Sequence, residues 1–220
     1  MFDRLALNAA YREVKDVFPI NRLAAPYVPR SDFEPTETVA VIVSDGSEIC
    51  LDQYVWGIFP SWAKHSVNAP GETVHECPAY RRIFRKQRCV LPVTGFYGWS
   101  GQGKNRRRLR FTLGESPIFA LAGLYDVWVS PGGREYRSCT LLTTPPNKVV
   151  GDFHETMPAV LSLKTVPVWL NPGTADVDLL LPLLRPYPFS DMKVEPVSPD
   201  DGKQVRRPGI PMKKLGLVKP

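Results

Sequence analysis

Two hydrophobic periods divide the chain. Ala10, Val14, Val17 and Phe18 recur at helical spacing, with Asn8 placed to cap them and Pro19 to stop them, which predicts one short amphipathic helix. Residues 19–36 are proline-rich and irregular. TVAVIVSDGSEICLDQYVWG, residues 38–57, then reads as two β-branched strands around a turn at Asp45-Gly46. The next stretch, IFPSWAKHSVNAPGETVHE, is broken by Pro and Gly and too long for a simple connector, so it predicts a functional or Ω-type loop. Pro78 opens a short basic helix to about Lys86.

The apolar run CVLPVTGFYGW, residues 89–99, follows and reads as a buried strand ending in a glycine-flanked aromatic corner. The arginines at 106–108 lead into a strand LRFTL. PIFALAGLYDVWV and YRSCTLLTT form a second antiparallel hairpin joined at Pro131-Gly132-Gly133. PNKVVGDFHETMPAVL is a loop or short helix, SLKTVPVWL and DVDLLLPLL are short helices interrupted by proline, and KVEPV is a last strand. This order predicts one mixed, largely antiparallel α+β domain over residues 1–198, rich in strands and edged by short helices. The remainder, 199–220, has six bases against two acids and predicts a flexible basic tail.

Charge changes this picture in one place. Arg81 to Arg110 holds ten of the 28 basic residues and no acid, and the rest of the chain has 18 bases against 22 acids. The net charge of +6 therefore comes from one segment. A basic frame around aromatics suits single-stranded nucleic acid, because phosphates attract Lys and Arg and unpaired bases stack on flat rings. A buried strand with solvated charged flanks has the same sequence signature, and the pattern alone does not separate the two. No run of about 18 apolar residues and no apolar leader occurs, so a cytoplasmic protein without membrane contact is expected. Cys50, Cys77, Cys89 and Cys139 are widely spaced and suggest reduced, structural thiols. His75 and Cys77 lack an equal second pair, so no metal site and no cofactor are expected.

Four segments in order, VWGIFPSWAK (55–64), NAPGET (68–73), RCVLPVTGFYGW (88–99) and HETMP (154–158), resemble the SRAP family, the SOS response-associated peptidases that process abasic sites in single-stranded DNA. FALAGLYDVW and RSDFEPTETVAVI support the resemblance, which runs from Met1 to about Val197. It implies a β-rich fold around a positive cleft, with single-stranded or gapped DNA as partner. In that family the amine and thiol of an amino-terminal cysteine trap the ring-opened sugar aldehyde as a thiazolidine, beside an asparagine, a glutamate and a histidine. Matching by segment puts Asn68 and His154 at the asparagine and histidine positions. It puts Arg4, Trp62, Arg82 and Thr143 at DNA-contacting positions, with Trp99 packed inside.

Positions 2, 3, 70, 98 and 156 depart from the family pattern. The chain begins MFDR where the family reads MCGR, so Phe2 stands at the nucleophile, offers no heteroatom and should leave Met1 untrimmed. Gly98 replaces the glutamate of GFYEW, Pro70 the arginine of NAR and Thr156 the arginine of HDR. The resemblance therefore implies DNA binding without thiazolidine formation. Two alternatives stay open: a Schiff base on the Met1 amine with His154 moving protons for strand cleavage, or a non-enzymatic interaction module whose basic strip meets an acidic partner.

Overall fold

The computed structural model describes residues 2–57, 67–101 and 105–197. In chain order the elements are β1 (Arg4–Leu7), α1 (Tyr11–Val17), β2 (Arg22–Leu23), β3 (Arg30–Phe33), β4 (Thr38–Ser44), β5 (Ile49–Trp56) and β6 (Asn68–Pro70). There follow α2 (Pro78–Lys86), β7 (Arg88–Val93), β8 (Gly95–Ser100), β9 (Arg107–Leu113), β10 (Phe119–Val129) and β11 (Glu135–Thr144). The chain closes with α3 (Lys148–Gly151), β12 (Met157–Pro158), β13 (Val160–Leu161), α4 (Val166–Leu170), α5 (Val177–Leu180) and β14 (Met192–Pro196). The fold is α+β, dominated by strands, with short helices. None of its described helices is long and apolar enough to cross a membrane.

The strands form two sheets. The smaller runs β14-β9-β8-β1-β3, all antiparallel. The larger runs β12-β11-β10-β7-β4-β5-β2, and β5 also pairs in parallel with β11 through Val55 with Ser138 and Trp56 with Cys139. That extra pairing closes β11-β10-β7-β4-β5 into a ring, which leaves these strands without a free edge.

The run CVLPVTGFYGW divides between the sheets: β7 lies in the larger one, β8 in the smaller, and Thr94 is the switch. Proline explains the position of the switch. β7 pairs with β4 only at Cys89 and Val90, so Pro92, which has no N–H to donate, falls where that ladder has ended. Thr94 then donates its N–H to the Ala6 carbonyl at 2.7 Å, and its hydroxyl accepts from the Asn8 N–H at 3.1 Å, which ties the start of the chain to the crossover. α1 starts later than expected: its cap is Ala10, whose N–H donates to the Glu13 carboxylate at 2.5 Å, and Asn8 lies ahead of it.

The turn at Asp45-Gly46 forms as expected. The Asp45 carboxylate accepts from the Ser47 and Glu48 N–H groups, each at 2.9 Å, and Gly46 has φ +99°, where a side chain would be strained. The expected irregular loop after β5 contains a strand instead. β6 pairs in parallel with β11, Asn68 opposite Leu141 and Ala69 opposite Leu142.

The core is continuous between the sheets. Phe96 stacks on Phe111 with centroids 5.1 Å apart and planes 9° off parallel. Arg88 is a buried cation within this core, 2% exposed. Its guanidinium donates to the carbonyls of Trp169 at 2.6 Å, Phe84 at 2.8 Å and Asn171. Burial lowers its pKa to about 10.

Candidate functional site

β1 begins at Arg4, opposite Tyr97, so Phe2 and Asp3 extend past the start of the strand alongside the far end of β8. Apolar packing fixes Phe2 there. Its side chain is fully buried, edge-on to Phe96 at 5.1 Å and to Phe111 at 6.0 Å, and 4.5 Å from the His154 ring between centroids. Its carbonyl accepts from the Asn68 side-chain amide at 2.7 Å. Parallel pairing of β6 with β11 brings Asn68 to this point. Three of the four residues matched to the family's reactive centre, Phe2, Asn68 and His154, thus meet directly.

Gly98 is the fourth. A Cβ built on it would sit 2.3 Å from His154 Nε2 and 2.9 Å from Cδ2. The imidazole therefore fills the space that any side chain at this position requires. It is held there by a backbone bond, the Trp99 N–H donating to Nε2 at 3.0 Å. An Nε2 that accepts places the neutral ring's proton on Nδ1, an assignment that follows from the hydrogen bond. Burial pushes the pKa of His154 below the ordinary 6.5, and the Asp3 carboxylate opposes that only in part. At neutral pH the ring is uncharged and its basic nitrogen is already engaged. Asp3 Oδ1 and Asn68 Oδ1 are buried and have no hydrogen-bond partner among the described residues. Phe2, Asp3, Asn68, Gly98 and His154 therefore offer two acceptors and a neutral imidazole, and no thiol.

The residues matched to DNA contacts are dispersed. Arg4 forms ion pairs with Asp32 at 2.8 Å and Glu34 at 2.6 Å. Arg82 pairs with Asp126 at 3.0 Å from the surface of α2. Thr143 is buried, and its hydroxyl donates to the Ala69 carbonyl at 3.4 Å. Trp62 and Met1 lie outside the described residues, as do Lys104 and the tail 199–220. Pro70 ends β6, and Thr156 is exposed ahead of β12.

The basic segment also resolves into parts. Arg88 is internal. Arg108 lies 3.8 Å from the Tyr97 ring centroid and makes two bonds to Asp32, at 2.8 and 3.1 Å. Arg106 covers the Trp99 ring at 4.1 Å. Trp99 is half-buried, more open than the interior position expected for it. Arg107, Arg81, Arg85 and Lys86 are exposed, the first on the smaller sheet and the others on α2, which packs against β7 and β10. The single patch read from sequence is thus two basic surfaces carried by different sheets. Asp3 was visible only as a departure from the opening motif, not as a charge acting on His154. Asp32, which neutralises Arg4 and Arg108, was missed and has no periodic or motif signal of its own.

A two-sheet α+β fold with the amino-terminal residues drawn against an asparagine and a histidine defines the class, and the sequence profile described as SOS response associated peptidase (SRAP) matches residues 1–204. The chain belongs to the SRAP family. The abasic site processing protein YoqW of Bacillus subtilis is 34% identical over 207 residues, covering 90% of this chain and 92% of that protein. The abasic site processing protein HMCES of Rattus norvegicus is 26% identical over 244 residues, covering 90% and 69%. A crystal structure of a Bordetella bronchiseptica protein superposes with a TM-score of 0.77 at 23% identity, covering 89% of this chain and 99% of that one. A Bacteroides thetaiotaomicron protein superposes at 0.76 and 23%, covering 92% and 94%.

Proposed function

We propose that this protein binds single-stranded or gapped DNA, at or near abasic sites, without forming a thiazolidine cross-link. One observation carries the second half of the reading: Phe2 is a fully buried core residue at the nucleophile's position, and His154 occupies the space of the missing side chain at Gly98. Capture of an aldehyde as a thiazolidine needs a thiol beside a free amine, and Phe2 supplies only an aromatic ring. His154 is a poor general base here, because its Nε2 lone pair is engaged by the Trp99 N–H.

The binding half of the reading draws on the relatives named abasic site processing proteins and on the basic surface of β8 and β9, where Arg106 covers Trp99 and Arg107 is exposed. Fluorescence anisotropy with a labelled single-stranded oligonucleotide at several salt concentrations tests it. The expected slope of log affinity against log salt is about −0.7 per phosphate neutralised. Affinity that is absent or flat with salt refutes binding. In parallel, an abasic oligonucleotide is incubated with the protein, with and without borohydride. A borohydride-independent adduct refutes the loss of thiazolidine chemistry, and an adduct seen only with borohydride assigns a Schiff base instead.

A further inference from the structure

The end of the β10–β11 hairpin carries an exposed tryptophan away from the candidate site. Trp128 is 44% exposed although it lies in regular strand, flanked by Val127 and Val129 at 36% and 56%. Trp128 is directly opposite Tyr136, with ring centroids 5.2 Å apart and planes 38° off parallel, and the Arg134 guanidinium lies 5.2 Å from the Tyr136 centroid. Strand alternation puts Asp126 on the same face as Trp128, and Asp126 holds Arg82 of α2. The exposed side of α2 adds Arg81, Arg85 and Lys86, with no acid between Pro78 and Lys86. Cations beside an indole and a phenol that already stack suit a strand of unpaired bases: phosphates meet the arginines and a base covers Trp128. Nothing in the hydrophobic core requires a tryptophan at that position.

We propose that this hairpin face is a second single-stranded nucleic-acid contact, outside the Phe2, Asn68 and His154 site, with Trp128 as its stacking platform. It rests on the DNA-binding reading above. Its reach follows from the ladder. Asn68 pairs beside Leu141 on β11, and the strand from there to Tyr136, opposite Trp128, spans about 17 Å at about 3.4 Å per residue. A stacked strand advances about 3.4 Å per nucleotide, so at least about five nucleotides separate the two contacts. A tetramer touches one of them, and a 20-mer engages both.

The test measures the affinity of labelled oligothymidylates of four and 20 nucleotides for the full chain, for Trp128→Ala and for Trp128→Phe, by anisotropy at fixed salt. Loss of at least tenfold for the 20-mer in Trp128→Ala, no change for the tetramer, and recovery of most of the loss in Trp128→Phe are the expected results. Equal loss for both lengths, an unchanged 20-mer affinity, or a Trp128→Phe variant as weak as Trp128→Ala overturns the proposal while leaving DNA binding intact. Failure of the unaltered protein to bind either oligonucleotide overturns both readings.

Discussion

Replacing Gly98 with alanine probes the contact by which His154 fills the space beside this glycine. The added Cβ would lie 2.3 Å from His154 Nε2 and 3.1 Å from Phe111 Cε2, so the imidazole must leave and the phenyl ring must give slightly. Expelling His154 breaks its bond from the Trp99 N–H, leaving a poorly solvated amide at a cost of about 1–3 kcal/mol. Overpacking against Phe111 adds about 1–3 kcal/mol. Removing a glycine from a strand returns about 0.5–1 kcal/mol through the unfolded chain. The net expectation is about 1–5 kcal/mol, a fall in melting temperature of roughly 2–20 °C for a chain of this size.

Urea denaturation followed by tryptophan fluorescence measures it in a double-mutant cycle. In a His154→Ala background the space is open, so Gly98→Ala costs less than about 1 kcal/mol, and the coupling between the two positions is about 1.5–3 kcal/mol. Equal costs in both backgrounds, or a neutral Gly98→Ala in the unaltered protein, would refute the claim that His154 fills this space.

The pKa of His154 is depressed in the fold, so the unfolded chain binds its proton more readily. Its contribution is complete above pH 6.5 and is lost as pH falls through the lower folded value. Denaturation midpoints measured between pH 7.5 and 5 should therefore fall more steeply for the unaltered protein than for His154→Gln. Arg88→Met keeps the bulk but strips the donor from three carbonyls, and is expected to cost about 2–4 kcal/mol by urea denaturation. Arg106→Ala with Arg107→Ala should leave the melting temperature within about 2 °C and make the salt slope of oligonucleotide binding shallower by about 0.7 for each phosphate that these arginines neutralise.

Elements whose signal is local were legible in the chain. α2 starts at Pro78 and ends at Lys86 because a proline at the first helical position and basic residues in the last turn are sequence-local features. Asp45-Gly46 set the β4–β5 turn, and Pro131-Gly132-Gly133 the β10–β11 turn, for the same reason. β6 was invisible because three residues with a proline have no period, and their strand character comes entirely from the partner β11. The division of CVLPVTGFYGW was also hidden. A single apolar run reads alike whether it stays in one sheet or crosses to another.

By itself the sequence determined the class: the order of strands and short helices, the motifs of the SRAP family, and the presence of Phe2 and Gly98 within two of those motifs. Tertiary structure alone decided what those residues became. Phe2 became a core residue because its ring found Phe96, Phe111 and His154, residues 94, 109 and 152 positions away along the chain. His154 became a backbone acceptor because Gly98 left room for it. The ten basic residues of Arg81 to Arg110 became two surfaces and one buried cation, since charge is written along the chain but is neutralised, exposed or buried only by what lies across from it.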